Sequence, residues 1–515
     1  MGALLDSQSA RDLPATRSAS SRWTFHHWVL ALAILAAVVV RLPELVKLPL
    51  VDQANFSLGA RELWAGKVLY RDVFDVKPPL IYWVYAALGA GSAPSYARVV
   101  AADLGLVIAL FCIAWGALAR LEPGARRDAL GMLGIGAAFA WFSTDLGVLQ
   151  AETVCNVLIA LAWFSGRDGR PSGWLVGLCA LGAGLAKILP AAAVLAVALA
   201  ATERGARLRV AAQASAVMAV GVGAWLASLK ASGALDAFRE AMAYASFQRG
   251  ITVMAAHNAL VVWPVWALPG ALAAAALALD RSRARAPLGA WLAVAALQIA
   301  LQQKYYAYHF IALMPPLSLL AGLGLHRLCE QAGEWAGLRI TVVCVLAQAG
   351  LAVNSHLDYN SLAIARCTGN LAIAKYEDAT EPTWEISTAT LRALASELER
   401  HGKPDEAMFT FGIMPQLYLL SGRPLWGPYV FHYGLLAETS ASRGFGDLEA
   451  RQKRFLELFD RAPPRVVVVP DSQSPVPGAM EPARELGTFR ALAERLERDY
   501  EWTRVASVRM GFRRP

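Results

Sequence analysis

Between residues 28 and 353 the chain is a succession of apolar runs separated by short turns, near 28–45, 98–119, 129–145, 151–165, 173–186, 188–202, 210–230, 259–279, 287–301, 309–325 and 340–353. Nothing else in the sequence constrains the fold as strongly. A helix needs roughly 20 mainly apolar residues to cross a hydrocarbon core about 30 Å thick. Several runs are shorter, so their boundaries are soft. Together they still carry more apolar surface than one soluble core can bury, with 56% of side chains hydrophobic and 17% charged. The expectation is an all-α polytopic membrane protein of about eleven transmembrane helices.

Charge orients the runs. The net charge is +8, but the arginines sit in small groups between apolar runs and form no single basic face, which argues against a nucleic-acid partner. Threading the runs alternately collects Arg120, Arg126 and Arg127, then Arg167 and Arg170, then Arg204, Arg207 and Arg209, then Arg281, Arg283 and Arg285, then Arg327 and Arg339 on one side, together with Arg11, Arg17 and Arg22. The positive-inside rule assigns that side, and the N-terminus, to the cytoplasm. The polar Ser/Arg-rich start and the absence of a small-residue cleavage signature read as a retained first helix. Cys112, Cys155, Cys179, Cys329 and Cys344 lie in apolar segments and Cys367 in the tail, a spacing that fits neither a disulfide framework nor a zinc site.

Three regions follow: a cytoplasmic tail at 1–27, a membrane region at 28–353 with a long first outer loop at 51–98, and an outer C-terminal region at 354–515. The last has a different composition. It carries charged amphipathic helical patterns at 391–400 and 486–498 and the buried-strand run Arg465-Val-Val-Val-Val-Pro470, the makings of a small soluble α/β domain. In the first outer loop, 56–64 and 80–87 read as amphipathic stretches lying on the membrane surface, with Trp64, Tyr82, Trp83 and Tyr85 at headgroup depth.

That loop also concentrates charge. Asp52 directly follows the first run, and Tyr70-Arg71-Asp72-Val73-Phe74-Asp75-Val76-Lys77-Pro78-Pro79 brings further carboxylates and cations to the outer lipid boundary. Such a set suits transfer of a sugar from a lipid-phosphate carrier: a carboxylate (Asp52, Asp72 or Asp75) accepts the proton of an incoming hydroxyl, and cations stabilise the departing phosphate. The plainer alternative is that Arg71 and Asp72 pair on a solvated loop and Lys77 snorkels to headgroups. Glu152 either supports a helix start or faces a cavity. Lys187 and Lys304 either bind phosphate or snorkel. Tyr305 and His309 are interface anchors or cavity residues. Arg249, His257 and Asn258 lie in an outer segment that would have to order over a substrate. No His/Cys/Asp set has metal-ligand spacing; Asp52 and the neighbouring carboxylates leave a divalent metal open, but the sequence indicates neither a metal nor another cofactor.

Taken in order, Val51-Asp52-Gln53-Ala54-Asn55-Phe56, Ala60-Arg61-Glu62-Leu63-Trp64-Ala65-Gly66-Lys67, Tyr70-Arg71-Asp72 and Lys77-Pro78-Pro79-Leu80-Ile81-Tyr82-Trp83 resemble the first outer loop of membrane glycosyltransferases of the protein O-mannosyltransferase and aminoarabinose-transferase type. Further similarities are Leu185-Ala186-Lys187-Ile188-Leu189-Pro190, Gln150-Ala151-Glu152, the aromatic-His segment from Tyr305 to Pro316, and, in the tail, Phe409-Thr410-Phe411-Gly412 and Tyr418 to Arg423. The resemblance implies a GT-C-like fold and a polyprenyl-phosphate sugar as donor. It implies that Asp52 acts as base or orients the acceptor and that Lys77, helped by Arg71 or Lys187, contacts the carrier phosphate. The mannosyltransferases follow the first Asp with Glu; this chain has Gln53 there.

The function expected is transfer of a single sugar to a glycan, lipid or protein acceptor on the outer face. The rival classes are a flippase or exporter of lipid-linked intermediates, which predicts charges in mid-span and repeated halves, and a third that takes in a surface-glycan ligase or polymerase and a non-catalytic membrane scaffold whose tail binds partners. The span interiors read as almost free of charge. A composition rich in Ala, Arg and Gly suggests a high-GC bacterium, so that the protein would reside in an inner membrane with its tail in the periplasm.

Overall fold

The computed structural model describes residues 25–140, 148–247, 253–333, 386–436, 448–472 and 481–515, apart from 42–43, 46, 92–94 and 304, with isolated residues between 334 and 385. The N-terminal tail to residue 24, most of the run at 340–353, Arg249, Lys304 and Cys367 lie outside the described residues.

The first part of the chain forms α1 (Phe25–Arg41), α2 (Val51–Trp64), α3 (Leu80–Ala87), α4 (Tyr96–Leu121), α5 (Arg126–Ala140), α6 (Ala151–Ser165), α7 (Gly173–Ala186), α8 (Pro190–Ala201), α9 (Arg207–Ala231), α10 (Leu235–Phe247), α11 (Val253–Leu279), α12 (Arg285–Gln302) and α13 (Met314–Ala332). Ten of these, α1, α4 to α9 and α11 to α13, coincide with the first ten apolar runs. The expectation of full spans is met only in part. Among the described residues, two helical segments, Tyr96–Leu121 and Arg204–Ala231, are long and apolar enough to cross a membrane, while Ala151–Ser165, Gly173–Ala186 and Pro190–Ala201 are shorter apolar helices. At 1.5 Å per residue, the 15, 14 and 12 residues of α6, α7 and α8 reach roughly 22, 21 and 18 Å, short of the ~30 Å core.

Close helix contacts rest on small residues, which let two backbones approach. A Cβ at Gly324 of α13 would come within 1.9 Å of the Leu272 carbonyl oxygen of α11, and one at Gly177 of α7 within 2.9 Å of Ala214 Cα of α9. The core of the helical region closes around fully buried Phe111, Trp163 and Trp291.

The tail contains α14 (Thr388–Arg400), β1 (Met408–Thr410), α15 (Pro415–Ser421), α16 (Leu448–Arg461), β2 (Val466–Pro470), α17 (Pro482–Leu486), α18 (Arg490–Asp499), β3 (Tyr500–Val505) and β4 (Val508–Arg513). Its sheet runs β1-β2-β4-β3, with β1 parallel to β2 and β4 antiparallel to both β2 and β3. The run at 465–470 becomes β2, buried throughout. The fold is therefore mainly helical with a small mixed C-terminal sheet.

Two expectations need correction. First, α2 and α3 do not simply lie on a surface. Tyr82 and Tyr85 are fully buried, and only Trp64 and Trp83 are exposed, at 73% and 42%. The reason is tertiary: α2 packs between α3 and α15, and Phe56, Tyr70, Tyr82 and Tyr85 share one core with Leu394, Met408, Tyr418, Leu425 and Val466 of the tail. Second, the helix interiors are not free of charge. Arg41 of α1 meets Asp103 of α4 at 3.1 Å, with side chains only 3% and 0% exposed; a buried charge persists because it is paired.

Candidate functional site

Asp52 stands in the first turn of α2, not in an irregular loop. Lys77 returns to it from just before α3, with its Nζ 2.7 Å from Asp52 Oδ2 and the two side chains 24% and 28% exposed. The lysine ammonium lies 4.5 Å from the Phe56 ring centre and 5.7 Å from that of Tyr308. The ammonium of Lys187 lies 5.9 Å from the centre of the same Tyr308 ring and is paired with Glu152. Lys187 follows α7 and Glu152 begins α6, so the turn between two short helices delivers one partner and a helix start delivers the other. Two one-to-one ion pairs thus face a single phenol ring.

An aromatic ladder completes this wall. Tyr306 stacks on Tyr308 with ring centres 5.7 Å apart, and His309 meets Tyr308 edge-on at 4.5 Å. The turn that presents them is strained: Gln303 and Tyr305 take φ of 55° and 48°, a region costing a non-glycine residue about 1–2 kcal/mol. Tyr70 and Leu149 are also left-handed, at 71° and 50°, so four of the five such residues described lie in the segments beside these groups. Strain of this kind collects where a site must be held in place. Burial, reinforced by the Asp52 carboxylate, raises the Tyr306 and Tyr308 phenols above their ordinary titration range.

Asp75 belongs to the support beneath the pair. It is 4% exposed and accepts hydrogen bonds from the Asn55 amide, the Tyr82 hydroxyl and the Val76 backbone N–H, while Tyr70 donates to the Lys77 carbonyl at 3.0 Å. These contacts hold the strand of chain that carries Lys77. Arg71 and Asp72 have other partners. They pair at 2.7 Å, Arg71 also donates to the Ser232 carbonyl at 2.8 Å, and Asp72 accepts from the Val68 N–H at 2.8 Å. The Arg71 guanidinium holds the Asp72 carboxyl below its usual range. Gln53 is fully buried, and neither amide atom has a partner among the described residues.

Glu152 does not cap α6; no side-chain cap bond closes that helix start, and the carboxylate turns to Lys187. Around it α6 buries Thr153 and Asn156. Asn156 donates to the Ile311 carbonyl at 2.8 Å, tying α6 to the aromatic segment. Asp52, Lys77, Glu152, Lys187 and His309 are therefore brought together, Asp75 supports them, and Arg71 and Asp72 are engaged elsewhere. Tyr308 and Asn156 were not singled out from sequence, because a tyrosine in an interface turn and an asparagine in an apolar run carry no distinguishing signal by themselves. Among the described residues no group of three or more His, Cys, Asp or Glu side chains is placed to hold a metal ion.

No protein-family model matches the chain, and no curated protein sequence matches it. Among solved structures, the arabinofuranosyltransferase AftD from Mycobacteria is similar over 96% of this chain and 40% of its own length, with a TM-score of 0.51 at 14% identity. The chain thus spans 40% of the length of that protein. The oligosaccharyltransferase from Archaeoglobus fulgidus aligns over 87% of this chain and 69% of its own, with a TM-score of 0.44 at 13% identity, too loose an overlap to argue from. What the AftD likeness shows is the fold alone, a mainly helical GT-C-like architecture.

Proposed function

We propose that this chain is a membrane glycosyltransferase that moves one sugar from a polyprenyl-phosphate donor to an acceptor hydroxyl on the outer face of a bacterial inner membrane. The observation that supports it best is the double ion pair, Asp52–Lys77 and Glu152–Lys187, with both ammonium groups against the Tyr308 ring. With the arginine-bearing ends of α6, α7 and α8 on the cytoplasmic side, their shortness sinks Lys187 and Glu152 roughly 10 Å beneath the outer limit of the hydrocarbon core. Charges at that depth persist where they line a functional cavity.

The chemistry follows from charge. A polyprenyl-phosphate sugar carries one negative charge on its phosphodiester; when the bond from the anomeric carbon to the phosphate oxygen breaks, the electron pair stays on that oxygen and the charge rises to two. A second cation is therefore worth more in the transition state than in the bound donor, which is the condition for catalysis. In this reading Lys77 and Lys187 turn from their carboxylates to the phosphate. Asp52 is then released to take the proton of the acceptor hydroxyl as its oxygen bonds to the anomeric carbon. Asp75 fixes the Lys77 strand, Gln53 and Tyr305 border the cavity, His309 belongs to the aromatic wall, and Lys304 is a further phosphate ligand. Arg71 and Asp72 shape the loop. No divalent metal has a role in the proposed step, and the tail at 354–515 lies in the periplasm.

The test compares lipid extracts from cells with the wild-type protein, the Asp52→Asn variant or no protein. A polyprenyl-phosphate sugar that accumulates equally in the last two identifies the sugar class and makes Asp52 essential, with a loss of about 10²–10⁴-fold in transfer. A diphosphate-linked species accumulating instead would indicate a ligase or polymerase. Indistinguishable extracts with a stably inserted variant would remove the carrier-phosphate reading.

A further inference from the structure

The same helix that begins with Asp52 ends in a clasp on the tail. Glu62, in the last turn of α2, has a side chain only 2% exposed, with Lys67 Nζ at 2.6 Å and an Arg61 guanidinium nitrogen at 3.1 Å. Its carboxylate also receives the backbone N–H of Leu425 at 3.4 Å, across 363 residues of sequence. The remaining donors of the two cations go to tail carbonyls. Arg61 donates to Tyr418 at 2.9 Å and to Arg423 at 2.7 Å, and Lys67 to Leu425 at 2.8 Å. A buried carboxylate that lacked these partners would be strongly unfavourable, so Glu62 fixes the cations and the cations fix the tail.

The second half of the pair is tied to the same tail segment. Phe74, three residues before Lys77, donates its N–H to the Pro428 carbonyl at 2.7 Å, bridges Tyr429 in parallel fashion, and meets its ring at 5.4 Å. Residues 415–429 therefore touch both supports of the Asp52–Lys77 pair: α2 through Glu62, Arg61 and Lys67, and the Lys77 strand through Phe74. Farther along, Arg451 of α16 reaches Glu240 of α10 at 3.5 Å, which anchors the tail to a second outer segment.

We infer that Glu62 is a positioning residue and that the tail is an integral support of the Asp52–Lys77 pair, not a separate acceptor-binding appendage. The inference rests on the transferase reading for its consequence in activity, but the clasp itself is tested without it. Hydrogen–deuterium exchange on the full chain in lipid nanodiscs is expected to show amides of 51–64 and 70–77 exchanging about tenfold faster in Glu62→Gln than in wild type, with α7 and α9 unchanged. In cells, Glu62→Gln and Lys67→Ala should accumulate the same carrier species as Asp52→Asn, while Lys67→Arg, which keeps the charge, should restore transfer.

A purely structural glue would loosen the tail without raising exchange at 51–56 and 74–77 and without loss of transfer; that result overturns the inference, as does wild-type turnover in both Glu62→Gln and Lys67→Ala. If Glu62→Gln fails to insert, Lys67→Ala gives the same reading from the exposed side of the clasp. If Asp52→Asn accumulates nothing, the transferase reading falls, and the exchange data alone decide whether the clasp positions the pair.

Discussion

The molecule carries two concentrations of charge at opposite ends of its helices, and they are built differently. At one end Arg327 of α13 is shared among Asp280 at 2.9 Å, Glu122 at 3.0 Å and Glu330 at 2.7 Å, while Asp128 holds both His326 at 2.9 Å and Arg127 at 2.7 Å. These groups stand at the ends of α4, α5, α11 and α13, and the left-handed non-glycine residues described lie elsewhere. At the other end, Asp52–Lys77 and Glu152–Lys187 each match one cation to one carboxylate, beside an aromatic wall and near the left-handed residues Tyr70, Leu149, Gln303 and Tyr305. A shared network resists change because losing one contact leaves others. A one-to-one pair can exchange its partner for an incoming anion, which is what a phosphate site needs.

The comparison can be broken from either end. The largest stability effect is expected from Lys187→Met, which leaves the nearly buried Glu152 carboxylate uncompensated and should cost about 3–5 kcal/mol. Adding Glu152→Gln should recover most of the melting temperature in detergent but no transfer. Recovery of transfer in the double variant would show that the pair is only structural. At the opposite end, Arg327→Ala strands the fully buried Asp280. A loss of similar or slightly smaller size is expected there, with transfer per folded molecule unchanged; selective loss of transfer would erase the distinction between the two ends.

A smaller effect comes from the packing beneath the site. A Cβ at Gly59 would lie 2.5 Å from the Tyr82 ring, so Gly59→Ala should destabilise by about 1–3 kcal/mol. It should also lower transfer by shifting α2 against α3, measured by melting and by carrier accumulation in parallel. The smallest is Arg71→Ala, on a pair whose side chains are 48% and 29% exposed, where solvent screening leaves little stabilisation to lose. Because Arg71 holds the Asp72 carboxyl below its usual range, that contribution is present above the ordinary carboxylate pKa and fades as pH falls toward the lowered value. The difference in melting between wild type and variant should therefore shrink from neutral pH to strong acid, leaving only what the Arg71 bond to the Ser232 carbonyl contributes.

Much of this was legible from residue order. The apolar periodicity located ten helices, and Asp52, Lys77, Glu152, Lys187 and His309 were named because charges and polar rings beside apolar runs are costly unless used. The surface placement of α2 and α3 was not right, since their moderate amphipathicity fits a membrane surface and a protein interface equally well, and the covering tail is more than 300 residues away in sequence. Glu62 lay in plain view in Ala60-Arg61-Glu62-Leu63, but only as part of a motif and with no role of its own. Asp103 was hidden in an apolar run whose average hydropathy it barely changes.

By itself the sequence determined which segments become helices and which charges border them, because these follow from transfer energies and hydrogen-bond periodicity along neighbouring residues. Only the tertiary structure decided that two lysines from separate turns meet one tyrosine ring, and that the tail grips the helix bearing Asp52. Those contacts depend on groups hundreds of residues apart being brought within a few ångströms, and no local pattern encodes that distance.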